Sequence, residues 1–195
     1  MSLSVHIIAS EAHGLKDVER FGSNDPYAKF TLDLEDKQSA KQTSVKKNAG
    51  RNVEWNETIV LDNYDPSRHH NLYVDVLDQE KLADEVIAFA TIPLYQANDA
   101  PGKSFKGKFN VFKEDGKHKG TISLTITIID SSRAGEHITN DNPEVEGTSS
   151  ATEEHQKHIK SLARKETASD VATVVAVGAA IVGAKTLLGG DKKEN

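Results

Sequence analysis

Short stretches of alternating apolar and polar residues recur along the first 130 residues, and Gly, Pro, Asn or Asp closes most of them. Leu3, Val5, Ile7 and Ala9 set the pattern, and comparable runs follow at 27–34, 41–46, 55–61, 72–78, 86–94, 104–112 and 121–129. The runs are rich in Val, Ile, Thr and aromatic residues and too short for stable helices, so periodicity and composition both predict strands. Eight such segments joined by turns predict an all-β fold, an eight-stranded antiparallel sandwich.

After residue 130 the pattern changes. Asn, Glu, Thr, Ser and His dominate 131–169, where burial cannot repay the entropy of ordering, so a disordered polar linker is expected. Within it, 153–165 places acidic residues first and basic ones last, the order that suits a helix dipole. A transient helix with too few apolar positions to dock strongly is the expectation there. Residues 170–190 are mostly Val, Ala, Gly, Thr, Ile and Leu with Lys185 inside, long enough for a membrane anchor. Ala172, Ala176, Ala180 and Ala184 form a small-residue stripe that suits close helix approach. Ala and Gly are only weakly apolar and Lys185 carries a cost, so spanning, peripheral, self-associating and disordered forms stay open. Residues 191–195 are a charged tail. The expected organisation is therefore a sandwich domain over 1–130, a linker over 131–169, an apolar helix over 170–190 and the tail.

Charge and composition narrow the function. The chain carries 24 Lys plus Arg against 30 Asp plus Glu, a net charge of -6, the wrong sign for coating nucleic acid. Hydrophobic residues make up 36%, a share that suits a domain with polar appendages. The absence of cysteine excludes disulfide scaffolds and thiol nucleophiles and agrees with a cytosolic protein. The first residues have no basic segment before an apolar run, so no signal peptide is expected. The dispersed histidines, including His155 and His158, read as solvated. A nucleophile elbow, a zinc-type His-Glu pair and a nucleotide loop are all missing, so the chain is expected not to be an enzyme.

The acidic residues are unevenly distributed. One segment, 15–27, carries Asp17, Glu19 and Asp25; a second, 75–85, carries Asp75, Asp78, Glu80, Asp84 and Glu85. Loops meeting at one end of a sandwich would gather carboxylates that repel one another unless neutralised, and a hard cation with six to eight oxygen ligands is the natural neutraliser. Calcium suits such a site better than magnesium, which demands a tighter octahedron. Solvated acidic surface is the other reading of the same spacing.

Residues 3–9, Gly14-Leu15-Lys16-Asp17, Asn24-Asp25-Pro26-Tyr27-Ala28-Lys29-Phe30, Val53-Glu54-Trp55-Asn56-Glu57, Leu72-Tyr73-Val74-Asp75-Val76-Leu77-Asp78 and Ile92-Pro93-Leu94 resemble the C2 domain family, in the right order over about 1–130. The strand order resembles the family's second, circularly permuted topology. The resemblance implies calcium ligands at Glu19, Asp25, Asp78, Glu80 and Asp84, with Asp17 and Glu85 in reserve. Glu19 and Glu80 stand where the family usually has Asp. It also implies a membrane tip at Arg20, Phe21, Lys81 and Leu82, for which local packing is the alternative, and a basic lipid patch at Lys41, Lys46 and Lys47, for which a solvated face is the alternative. The function implied is non-enzymatic, calcium-dependent binding to anionic phospholipid on a cytosol-facing membrane. The alternative is a calcium-independent scaffold that binds a protein partner and uses the apolar tail for anchorage or self-association.

Overall fold

The computed structural model describes residues 2–19, 22–130 and 142–163. The strands are β1 (Leu3–His13), β2 (Pro26–Thr31), β3 (Lys41–Gln42), β4 (Val53–Tyr64), β5 (Asn71–Asp78), β6 (Glu85–Pro93), β7 (Ser104–Phe112), β8 (His118–Asp130) and β9 (Val145–Glu146), with a one-turn helix α1 (Tyr95–Asn98) after β6. A second helix, α2, covers 153–163. The eight expected strands are all present. The third is cut to Lys41–Gln42, because beyond Gln42 its contacts to β2 become isolated bonds, Thr43 N–H to Ala28 O and Lys46 N–H to Pro26 O.

The strand order is β3-β2-β5-β6-β7-β8-β1-β4. Every pairing along it is antiparallel, and β6 meets β7 at one residue pair, Phe89 opposite Phe112. That narrow join divides the order into the two layers of an antiparallel β-sandwich, β3-β2-β5-β6 and β7-β8-β1-β4. Alternation explains the filling between them. Val5, Ile7 and Ala9 of β1, Leu72, Val74 and Val76 of β5, and Ile122, Leu124 and Ile126 of β8 are buried in one core. Trp55 closes this core and donates its indole N–H to Pro26 O at 3.3 Å.

β5 and β6 depart from simple alternation, being buried on both faces almost throughout. The reason lies in 142–163, where the expectation of a linker is corrected. β9 runs parallel to β7, with Val145 opposite Gly107, and Ser150 bridges Thr91 of β6 through paired backbone bonds of 2.9 Å. These residues fill the seam that β6 and β7 leave open. Gly147 is required there, since a Cβ would overlap the Phe109 ring. Thr152 then starts α2, its hydroxyl accepting the His155 N–H, with Glu153 and Glu154 suitably in the first turn.

α2 docks on the outer face of β2, β5 and β6. Ile159 joins a small second core with Tyr27, Leu77, Val86 and Phe89, flanked by Leu162 and Ala151. Burying one such side chain contributes about 1.5–3 kcal/mol. A polar lock adds to it. His155, fully buried rather than solvated, bonds Asp75 Oδ1 through Nε2 at 2.7 Å and Thr91 Oγ1 through Nδ1 at 3.1 Å. Asp75 therefore lies mid-strand under the helix and outside the acidic loops. Tyr73 donates to Glu154 at 3.2 Å and packs edge-on against the His155 ring.

Candidate functional site

The acidic loops do meet, at the end of the sandwich where β1 and β5 finish and β2 and β6 begin. Three local devices set the first loop. Gly120 (φ 87°) lets β8 approach β1 so closely that a Cβ would strike the His13 carbonyl, which fixes where the loop leaves β1. The fully buried Asn24 side chain accepts the Val18 N–H at 3.1 Å and donates to Lys16 O at 2.7 Å, folding the loop over itself. Arg51 holds Leu15 from the other side, through its backbone oxygen to Leu15 N–H at 3.0 Å and its Nε–H to Leu15 O at 3.1 Å. Sequence reasoning misses both Asn24 and Arg51. For the first, the available signal is an Asn directly before the Asp-Pro-Tyr run.

Of the expected ligands, Glu19, Asp78 and Glu80 bring carboxylate oxygens within 4.8 Å of one another. Asp78 is the buried member. Its Oδ1 accepts the Asp25 N–H at 2.5 Å, while Oδ2 is buried with no hydrogen-bond partner. Burial above all, then the charges of Glu19, Glu80 and Asp25, pushes its carboxyl up to about 6 against the lowering effect of the Asp25 N–H. Desolvation and the adjacent Glu80 carboxylate push Glu19 up as well, with Asp25 and Asp17 acting in the same direction.

Asp25 and Asp84 are at the site but engaged otherwise. Asp25 accepts the Asn48 N–H at 2.6 Å and the Lys47 ammonium at 2.9 Å, which hold its carboxyl below the ordinary value. Asp84 accepts the Tyr27 hydroxyl at 2.6 Å and the Glu80 N–H at 3.0 Å, which draws the second loop back on itself. Asp17 is near enough to Glu19 to act on it electrostatically, whereas Glu85 lines a separate cavity with Lys16, Lys113, Asp115 and Lys160.

Leu82 stands out from the second loop with 68% of its surface exposed, and Lys81 beside it is exposed too. Arg20 and Phe21 lie outside the described residues. Within the basic strand only Lys41 is free of a carboxylate partner among the ion pairs of the described residues. Lys46 pairs with Glu57 at 3.2 Å and Lys47 with Asp25. Desolvation pushes the Glu57 carboxyl up, but hydrogen bonds from Ser44 and Lys46 outweigh it and hold the group below its ordinary value. Among the described residues no helix is long and apolar enough to cross a membrane, and 170–190 lies outside them.

The family model of the C2 domain matches residues 2–111, more than half of the chain. The chain belongs to the C2 domain family. β8, β9 and α2 lie beyond the matched residues. Rabphilin-1 of Caenorhabditis elegans is 32% identical over 114 residues, which cover 57% of this chain and 10% of the relative, so the chain spans a small part of that protein's length. The first of the C2 domains of plant Extended Synaptotagmin 1, domain A, superposes with a TM-score of 0.55 at 27% identity, over 64% of this chain and 92% of that one. The paired C2 domains A and B of Extended-Synaptotagmin 2, solved with calcium bound, share the fold at a TM-score of 0.52 and 20% identity, over 64% of this chain and 45% of that one.

Proposed function

We propose that this C2 protein binds calcium at the acidic end and thereby attaches to anionic phospholipid on a cytosol-facing membrane, without catalysis. The observation that carries this reading is Asp78. A carboxylate with one buried, unpartnered oxygen beside two further carboxylates is a poor arrangement for an empty surface and a suitable one for a hard cation. Glu19, Asp78 and Glu80 would hold the ion directly, and Asp25 and Asp84 would join once Lys47 and Tyr27 yield the oxygens they occupy. When bound, calcium supplies positive charge and open coordination positions for lipid phosphate. The chain's own contribution is the rest: Asn24 and Asp84 fix the loops, Lys81 faces anionic headgroups, and Leu82 enters the interfacial region.

The test is calcium titration of the full-length chain by calorimetry, together with sedimentation on phosphatidylserine vesicles in calcium or chelator. Saturable calcium binding and calcium-dependent sedimentation are expected. Equal sedimentation in both conditions would overturn the calcium dependence. The Lys47–Asp25 pair favours a second reading, because it places an internal cation where a metal would sit. On that reading the chain is a calcium-independent adaptor for a protein partner, and calorimetry shows no calcium binding.

A further inference from the structure

The last turn of α2 covers a cavity of about 480 Å³ that is separate from the Glu19, Asp78 and Glu80 cluster. Its lining comes from four segments: Lys16 of the first loop, Glu85 at the start of β6, Lys113, Glu114 and Asp115 of the β7–β8 turn, and Lys160 of α2. A cavity of that size accepts a small organic ligand or a lipid headgroup. The wall that carries Lys160 belongs to α2, which lies beyond the residues matched by the family model.

Each wall is held in place. Lys16 O accepts the Asn24 amide at 2.7 Å, and Arg51 clasps Leu15 just before it. The turn is closed by Gly116 N–H to Lys113 O at 2.7 Å and Lys113 N–H to Lys117 O at 2.9 Å. Gln156 of α2 donates to Glu114 O at 2.8 Å, tying the turn to the helix. The helix itself is fixed by His155 on Asp75 and by Ile159 in the second core.

The lining carries charges of both signs. Asp115 is occupied, by Lys113 at 3.3 Å and Lys117 at 3.5 Å. Lys16, Lys160, Glu85 and Glu114 form no ion pair among the described residues. Two ammonium groups and two carboxylates therefore face one cavity without neutralising each other directly. A simple anion would meet the carboxylates and a simple cation the lysines. An occupant that carries both a phosphate and an ammonium group answers both, because lysine donates to phosphate oxygens and a carboxylate accepts the N–H groups of a primary amine.

We infer that this cavity binds the phosphate ester of a primary amine, with Lys16 and Lys160 on the phosphate and Glu85 and Glu114 on the ammonium. Calcium takes no part in it. Two sources supply that chemistry, an aminophospholipid headgroup and a free phosphorylated amine. The first loop, the start of β6 and the β7–β8 turn all lie at the acidic end, so a lipid held there shares a face with Leu82.

The test is a titration of the isotope-labelled full-length chain with O-phosphoethanolamine in chelator, followed by NMR. The amide signals of Lys16, Glu85 and Gly116 are expected to shift saturably. O-phosphocholine has no N–H on its nitrogen and inorganic phosphate has no ammonium, so each is expected to bind about tenfold more weakly, the loss of one charge-assisted contact. Lys160→Gln and Glu85→Gln should each weaken O-phosphoethanolamine by a similar factor, whereas Lys157→Gln, on the exposed side of α2, should not. Absence of a saturable shift, equal binding of the three probes, or binding indifferent to both Lys160→Gln and Glu85→Gln overturns the inference. Phosphatidylcholine vesicles with and without phosphatidylethanolamine, sedimented in chelator, then separate the sources. Sedimentation that needs both phosphatidylethanolamine and Lys160 assigns the lipid headgroup, and binding of the soluble probe alone assigns the free amine. Calcium is absent throughout, so failure here leaves the calcium reading of Glu19, Asp78 and Glu80 standing.

Discussion

The Lys47 ammonium lies 2.9 Å from Asp25 Oδ2 and 2.9 Å from Gln79 Oε1, so the chain places a cation of its own on a carboxylate proposed for calcium. Two cations then compete for one group. Lys47→Met removes the competitor and its positive charge together. Calcium affinity measured by calorimetry is expected to tighten by about fivefold, the equivalent of roughly 1 kcal/mol, which is the upper range for an exposed ion pair. An unchanged or weaker affinity would show that Asp25 takes no part in metal binding.

Asp78 sets a pH dependence. Its carboxyl titrates at about 6 in the folded chain and near the ordinary aspartate value when unfolded. Between about pH 4 and 6 the folded chain therefore holds a proton that the unfolded chain has released, and the contribution of this group to stability falls as pH rises through that window. Calcium must displace the same proton, so its affinity weakens as pH drops below about 6. Asp78→Asn keeps an acceptor for the Asp25 N–H and removes the charge. Without calcium its melting temperature at pH 7 is expected to exceed that of the wild type, the difference shrinking toward pH 4, and calcium should no longer raise it. A difference that does not vary with pH contradicts the assignment.

His155→Ala removes one side of a buried pair and leaves Asp75 without that partner. An unsatisfied buried acceptor and lost packing together should cost about 3 kcal/mol in denaturant unfolding. The loss is expected to be partly local: limited proteolysis should cut within 142–163 first while the remainder of the sandwich persists. Unfolding with no early cleavage would mean that residues 142–163 are inseparable from the rest of the domain.

Leu82→Ser tests the exposed tip. Moving a leucine from water into the interfacial region contributes up to about 1.5–3 kcal/mol, so vesicle affinity in calcium should fall by as much as about tenfold to a hundredfold while calcium affinity without lipid is unchanged. Equal vesicle affinity would return Leu82 to the status of ordinary surface.

Much of this is legible in the sequence, and the exceptions share a cause. The alternation at Val5–Ala9 or Leu72–Val76 reports a face buried against another sheet, which is why eight strands can be read from it. The acidic loops can be located from spacing, since like charges at short intervals must either be solvated or share a counter-ion. What hydropathy does not express is polar complementarity. α2 offers only Ile159 and Leu162 as large apolar anchors, so its docking reads as weak, yet Asp75 two residues from Tyr73 and Leu77 gives His155 a buried partner. The same blindness applies at the acidic end. Lys47 and Tyr27 belong to other segments, and nothing local indicates that they hold Asp25 and Asp84.

The narrow join between β6 and β7 has a consequence for how the chain behaves in a crowded solution. Where those strands part, each presents a row of backbone donors and acceptors with no neighbour, a ready template for a strand from any other molecule. Val145–Glu146 and Ser150 satisfy part of both rows at once. Residues 145–150 thus guard against intermolecular strand addition, and a protein shortened to its first 130 residues would aggregate more readily than the full chain.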